Sequence, residues 1–406
     1  MAHKPLERRA FLARSLALGC SAAASPLLTP VMLASTPGEA RLVVIILRGA
    51  MDGLDLLRPL GAPELRHLRP RLGQERGSHA LDDFHALHPL LGGLMPLWRA
   101  GELGFVQAVS TPYRDRRSHF DGQDLLEAGT GQDVPPHLRR EGWLNRALAR
   151  LPGAEARTAF AVGHDEMRVL EGDAPHTIWS PGLRLDLSAQ SRLLLDHLYA
   201  GDPLFHRAAQ EALGLAEGRD TLGYGAMLRM ATRSGAEAVS QRGDPAEVAA
   251  FVARRLRDDT RIAAFSLGGW DTHRDQHQTL RRALARLETT LLTLRDALGP
   301  VWGDTAVLAM TEFGRTVREN GSDGTDHGTA GALIHAGGAL RGGRVLGDWP
   351  GLGERDLYAG RDLMPTRDVR AHAAWVLHAL FGLERGALED EVFPGLDMGP
   401  APGLLL

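Results

Sequence analysis

Acidic and imidazole side chains recur in this chain directly after runs of apolar residues. Asp52 follows residues 42–47 in RLVVIILRGAMDGLD, and Asp271 with His273 follows residues 261–267 in RIAAFSLGGWDTH. Glu312 ends the run 305–311 in TAVLAMTEFGRT, and Asp326-His327 sits on a glycine-rich loop ahead of residues 332–335. Carboxylates gathered without compensating positive charge raise one another's pKa unless they are paired or metal-bound, so such a set implies a cation. Mixed carboxylate and imidazole ligation suits zinc, manganese or iron better than calcium, and one or two divalent ions are expected. The alternative is an organic salt-bridge network in which Arg48, Arg117 and Arg315 supply the charge.

A second kind of chemistry stands at residues 110–129, STPYRDRRSHFDGQDLLEAG, where a strand-like run over 102–109 gives way to a helical pattern. The N-terminus of such a helix carries unpaired amides and the positive end of the helix dipole. Ser118 fits either an N-cap, with Asp121 three residues on, or a nucleophile meeting an anionic substrate. Capping does not call for imidazole, so His119 is read as a site residue, with Arg117 beside it to hold substrate oxygens.

Positioning these groups requires strands that end on one edge. Short apolar runs rich in Val and Ile, finishing at glycine and acid, read as buried parallel strands, whose carboxyl ends form the ligand edge of open α/β sheets. Residues 158–162 and 177–179 suggest further strands. Leucines at 280, 284, 287, 291, 294 and 298 have helical spacing, and those at 87, 90, 91, 94 and 97 predict another amphipathic helix. From 190 to 259 the pattern is mostly helical, with Asp244-Pro245 as an N-terminal signal. At 406 residues and 44% hydrophobic content, with no repeat or low-complexity linker, one α/β domain over 41–406 with a helical insertion at 190–259 is expected.

The first 34 residues differ in kind. Arg8-Arg9-Ala10-Phe11-Leu12 is a twin-arginine signature ahead of an apolar, small-residue stretch, which predicts use of the twin-arginine export machinery and a periplasmic or extracellular location. That stretch carries Ser21, Ser25, Pro26 and Pro30, too polar and broken for a stable membrane span, so the mature protein is expected to have no transmembrane segment. The sole cysteine, Cys20, lies within it; lipid anchoring there is a minor alternative, and the mature chain is expected to have no disulfide. Lys4 is the only lysine, and a net charge of −4 with no basic block beyond the N-terminus gives no support to nucleic-acid binding.

Together, the twin-arginine start and the stretches LRGAMDGL, RSHFDGQD, GGWDTH, TEFGRT, GTDHG and GGRVLGDWPGL resemble the exported bacterial family known as domain of unknown function 1501, from the signal to about Gly382. The resemblance implies kinship with the alkaline phosphatase and sulfatase superfamily: a mostly parallel central sheet with helices on both faces, and metal-dependent hydrolysis of phosphate or sulfate esters, with an anionic small molecule or polymer as substrate. On that resemblance Asp52 is a metal aspartate, Ser118 the alcohol nucleophile, Asp271 the aspartate of the first metal site, and His327 its last histidine. His273 or His277 supplies the other histidine. The superfamily ends the fourth strand in Asp-His, whereas this chain has Glu312-Phe313. A second metal site is therefore reduced to Asp52 and Glu312, completed by Asp326 or His119, or missing. Arg48 and Arg315 are further substrate-binding candidates. A non-catalytic member that binds a carbohydrate, polymer or protein in the same cleft is the alternative reading.

Overall fold

The computed structural model describes residues 39–74, 76–134, 139–163, 167–179 and 244–404. Seven strands build most of the central sheet: β1 (Arg41–Arg48), β2 (Leu103–Ser110), β3 (Ala159–Val162), β4 (Thr177–Trp179), β5 (Ile262–Gly268), β6 (Thr305–Met310) and β7 (Gly331–Ala336). Two short ones, β8 (Val345–Leu346) and β9 (Arg367–Asp368), pair with β2. The order across the sheet is β8-β2-β7-β6-β1-β5-β3-β4. Every pairing is parallel except those of β7 with β2 and β6.

β1 lies at the centre. Its residues 42–47 are all fully buried, because both faces are covered. Val43, Ile45 and Leu47 point to helices α3 (Pro245–Arg257) and α4 (Gln276–Leu298); Leu42, Val44 and Ile46 point to α2 (Trp143–Leu148) and α5 (Val369–Phe381). This is the two-residue alternation of a strand read by two helical layers. Helix α4 buries Leu280, Leu284, Leu287, Leu291, Leu294 and Leu298, the stripe visible in its sequence.

The antiparallel β7 leaves β2, β6, β1 and β5 running the same way. Their carboxyl ends, and the residues leading into β7, therefore meet on one edge. Helix α1 (His119–Ala128) starts from that edge after β2.

One expectation is corrected. Residues 87–97 do not form a single amphipathic helix: Ala86–Leu87 is strand, Pro89–Leu94 is a 3₁₀ segment kinked at Leu91, and only Met95–Arg99 is α-helix. Pro89, the Gly92-Gly93 pair and Pro96 break the backbone pattern that leucine spacing alone suggests. The twin-arginine segment and most of the expected helical insertion, residues 190–243, lie outside the described residues. Beyond them α3 starts at an Asp244 N-cap that accepts from the Ala246 amide at 3.0 Å. No helix among the described residues is long and apolar enough to cross a membrane.

Two imidazoles sit deep in this frame. His335 on β7 and His372 on α5 are buried, and neither ring has a hydrogen-bond partner among the described residues. Burial, reinforced by nearby Arg344, pushes His335 down to about 3; burial, with Arg367 and His335, pushes His372 down to about 3. Both fold as neutral rings, so the unfolded chain binds more protons between the ordinary histidine value of 6.5 and 3. Their contribution is complete above pH 6.5 and is lost as pH falls toward 3. Urea unfolding at pH 7 and pH 4.5 should show a large drop in midpoint for the wild type and a smaller drop for His335→Leu and His372→Leu.

Candidate metal centre

The carboxyl edge is knitted around two buried charged groups. The Glu312 carboxylate, just past β6, accepts from the amides of Gly49 and Ala50 at 2.9 and 3.0 Å, from His119 Nδ1 at 2.8 Å and from Gln123 Nε2 at 3.2 Å. Arg315, three residues on, donates to the carbonyls of Ala50 (2.8 Å), Gly49 (2.7 Å), Trp270 (3.2 Å) and Thr325 (3.1 Å), and to Asp271 Oδ1 at 2.6 Å. Gly49 is required where the loops after β1 and β5 touch. Its φ is +116°, and a Cβ there would fall 2.6 Å from the Asp271 nitrogen.

Asp271 is the meeting point. His273 Nε2 lies 3.1 Å and His327 Nε2 3.6 Å from its Oδ1, while His119 Nε2 lies 3.5 Å from Oδ2. Ligand atoms of His119, Asp271 and His327 all fall within 4.8 Å of one another. The outer ring nitrogens fix the tautomers. His119 Nδ1 faces the Glu312 carboxylate, His327 Nδ1 faces the Arg117 carbonyl at 2.8 Å, and His273 Nδ1 faces Asp326 Oδ1 at 3.2 Å. Each outer partner only accepts, so each Nδ1 carries the hydrogen, and in the neutral ring each Nε2 presents a lone pair to Asp271. His273 Nε2 and His327 Nε2 stand 2.9 Å apart, and His119 Nε2 is buried without a hydrogen-bond partner. Lone pairs so close to one another and to a carboxylate suit a cation or a proton between them.

With no ion between them, the same crowding favours a proton: burial acts to lower the His119 pKa, yet the carboxylates of Asp271 and Glu312 beside the ring raise it to about 9. Burial acts to raise the pKa of Asp271, but His119, His327 and Arg315 hold its carboxyl well below the usual range. Phe313 stacks against the His119 ring with centroids 5.2 Å apart and fills the space beside it with apolar surface.

The other expected site residues take different places. Asp52, expected to bind a metal, caps the short helix Gly53–Leu56; its oxygens accept from the Leu54 and Asp55 amides, Arg69 Nη1 at 2.8 Å and Gln276 Nε2 at 2.7 Å. Glu312 reaches the centre only through His119, and Asp326 only through His273. Arg315 and Arg48, expected on the substrate, are turned inward, the first beneath Asp271 and the second onto Glu127 at 2.8 Å and Gln123 at 2.8 Å. Ser118 caps α1, its Oγ accepting from the Asp121 amide at 3.4 Å. The Arg117 guanidinium is exposed, 3.9 Å from Asp362. His277 lies one residue into α4 and outside this cluster. Sequence reasoning missed Arg69 and Gln276, which neutralise and orient Asp52. Arg69 sits in the irregular stretch RPRLG, where no periodicity marks it as buried.

Comparison with known proteins adds the family. The model of the family described as "Protein of unknown function (DUF1501)" matches residues 106–390, and the chain belongs to that family. No curated protein matches. Among solved structures, the chain is similar to a protein in the alkaline phosphatase superfamily from Vibrio parahaemolyticus, at 14% identity over 84% of this chain and 67% of that one, with a TM-score of 0.34. It is also similar to Ps i-CgsB, determined in complex with k-i-k-neocarrahexaose, at 9% identity over 86% and 74%, TM-score 0.41. A third is the alkaline phosphatase of the Antarctic bacterium TAB5, at 11% identity over 76% and 94%, TM-score 0.34.

Removing the Arg315 charge should cost more than any other single change here, because Asp271 and four carbonyls would lose their donor in the interior. Arg315→Met is expected to destabilise the fold by about 3–5 kcal/mol in urea unfolding; a loss below about 1 kcal/mol would contradict the role given to this guanidinium.

Proposed function

We propose that this member of the DUF1501 family is a hydrolase of phosphate or sulfate esters that holds one divalent ion on His119, Asp271 and His327. The observation that supports it is the convergence of Nε2 lone pairs, each set by an acceptor on Nδ1, around a single carboxylate. Three protein ligands with an open fourth position is the pattern of a catalytic zinc site, and the nitrogen-rich donor set favours zinc, with manganese or iron as alternatives. When bound, such an ion supplies a Lewis acid for an ester oxygen and lowers the pKa of a bound water.

The chain's own groups have separable tasks. Glu312 and the Arg117 carbonyl hold the His119 and His327 rings in the ligating tautomer. Arg315 keeps Asp271 ionised and fixed. His273, half exposed at the rim and hydrogen-bonded to Asp326, stands beside the ligands, 2.9 Å from His327. The exposed Arg117 guanidinium offers paired donors to the oxyanion of a substrate. Ser118, next to His119, is the candidate nucleophile. With Asp52 committed to Arg69 and Phe313 packed on His119, the centre takes one ion rather than two. The twin-arginine segment supports export to the periplasm or beyond, already folded.

One observation favours the alternative, a non-catalytic binding protein: the only serine next to the cluster serves as a helix cap. The two readings separate in one series. Wild-type protein should contain about one equivalent of transition metal. Asp271→Ala and His327→Ala should lose it, and Glu312→Gln should weaken metal affinity about 10–100-fold. Screening of aryl phosphate and sulfate esters should then find turnover that Ser118→Ala abolishes. If Ser118→Ala keeps turnover and loses only about 1 kcal/mol of stability, Ser118 is a cap and not the nucleophile. Absence of bound metal after reconstitution would remove the hydrolase reading.

A further inference from the structure

The loops that carry the centre also wall a second site. Residues 272–278 run from Asp271 into α4, and the loop 320–326 lies on them: the Asp275 and Gln276 amides donate to Ser322 and Asp323 carbonyls at 3.0 and 2.8 Å. They pack so closely that a Cβ at Gly324 would fall 2.4 Å from the His273 carbonyl. Beside this pair of loops opens a cavity of about 530 Å³, and its lining includes Arg58, Arg71, Arg76, Arg281 and His88 together with two acids, Asp275 and Asp323. His119, Asp271, His273 and His327 are not part of that lining.

Arginines at a cavity are informative when their charge is not already spent. Arg58 is spent, paired with buried Asp55 at 2.6 Å, and Arg71 is paired with Glu319 and Asp323. No ion pair among the described residues engages Arg76 or Arg281. His88 is not a free donor: its Nδ1 accepts from the Leu90 amide at 3.1 Å, and its Nε2 faces the buried Asp55 carboxylate at 3.9 Å.

Two arginines with spare donors match the oxygens of a sulfate or phosphate group. The volume is that of a small-molecule pocket, well beyond a single oxyanion. We propose that this cavity binds the sulfate or phosphate group of an extended anionic ligand, at a site separate from the metal ligands. It stands on its own residues, whether or not the centre is catalytic.

Calorimetric titration tests it with three probes: tripolyphosphate, a dextran sulfate oligosaccharide, and uncharged dextran as control. The proteins are wild type, Arg76→Gln/Arg281→Gln, and Asp271→Asn/His327→Ala. The expected result is binding of at least one charged probe by wild type and by the metal-centre variant with similar affinity, weakened about tenfold or more in the arginine variant. Which charged probe binds tells phosphate from sulfate esters. The proposal is overturned if wild type binds neither charged probe, if the arginine variant binds as wild type does, or if binding is lost in the metal-centre variant. Both arginines are exposed, so an unchanged thermal midpoint in the arginine variant ties the loss to the site.

Discussion

A guanidinium taken wholly out of water must find an acceptor for nearly every N–H, and Arg315 finds them on three separate loops. Its partners are carbonyls after β1, β5 and β6 together with the Asp271 carboxylate. The functional edge depends on that contact. It fixes the acid at which three histidines converge, and it keeps that acid ionised. Glu312 does the complementary task with opposite charge, gathering the Gly49 and Ala50 amides and the His119 ring. A buried cation and a buried anion, each satisfied by backbone, hold the loops in register while leaving the face of Asp271 half open to solvent.

The same contacts occupy the other acids of the edge. Asp52 is neutralised by Arg69 and held by Gln276, whose carbonyl oxygen accepts from Thr272 and Thr325 at 2.9 and 2.7 Å. Positive charge at that position comes from a side chain. Phe313, packed between Tyr113 and the His119 ring, adds apolar surface where a ligand would have to stand. Arginine neutralises one half of the acidic edge, and a histidine set that could hold a cation occupies the other.

How much of this was legible in the sequence follows from the range of the forces involved. Strand ends were legible, because burial on both faces writes an unbroken apolar run and the edge chemistry follows it directly, as at residues 42–52 and 261–273. The leucine stripe of α4 was legible for the same reason. The broken segment 87–97 was misread, because leucine spacing outlasts a helix that Pro89, Gly92, Gly93 and Pro96 forbid. Arg69 and Gln276 left no local trace, since their reason for being there is an acid distant in the chain. His119 stands out in the sequence because a helix cap does not need imidazole; its partner Glu312 faces the ring's Nδ1. The distinction between ligand and support is a matter of which nitrogen faces which oxygen, which only three-dimensional placement decides.

The most direct test of the account is diffraction from crystals of the mature protein grown with zinc, collected on both sides of the zinc absorption edge. The account predicts one anomalous peak, bonded to His119 Nε2, His327 Nε2 and Asp271 at about 2.0–2.2 Å, with no second peak at Asp52 or Glu312. A second peak between Asp52 and Glu312, or no peak at Asp271 with the three histidine rings bridged by water or protons alone, would contradict it.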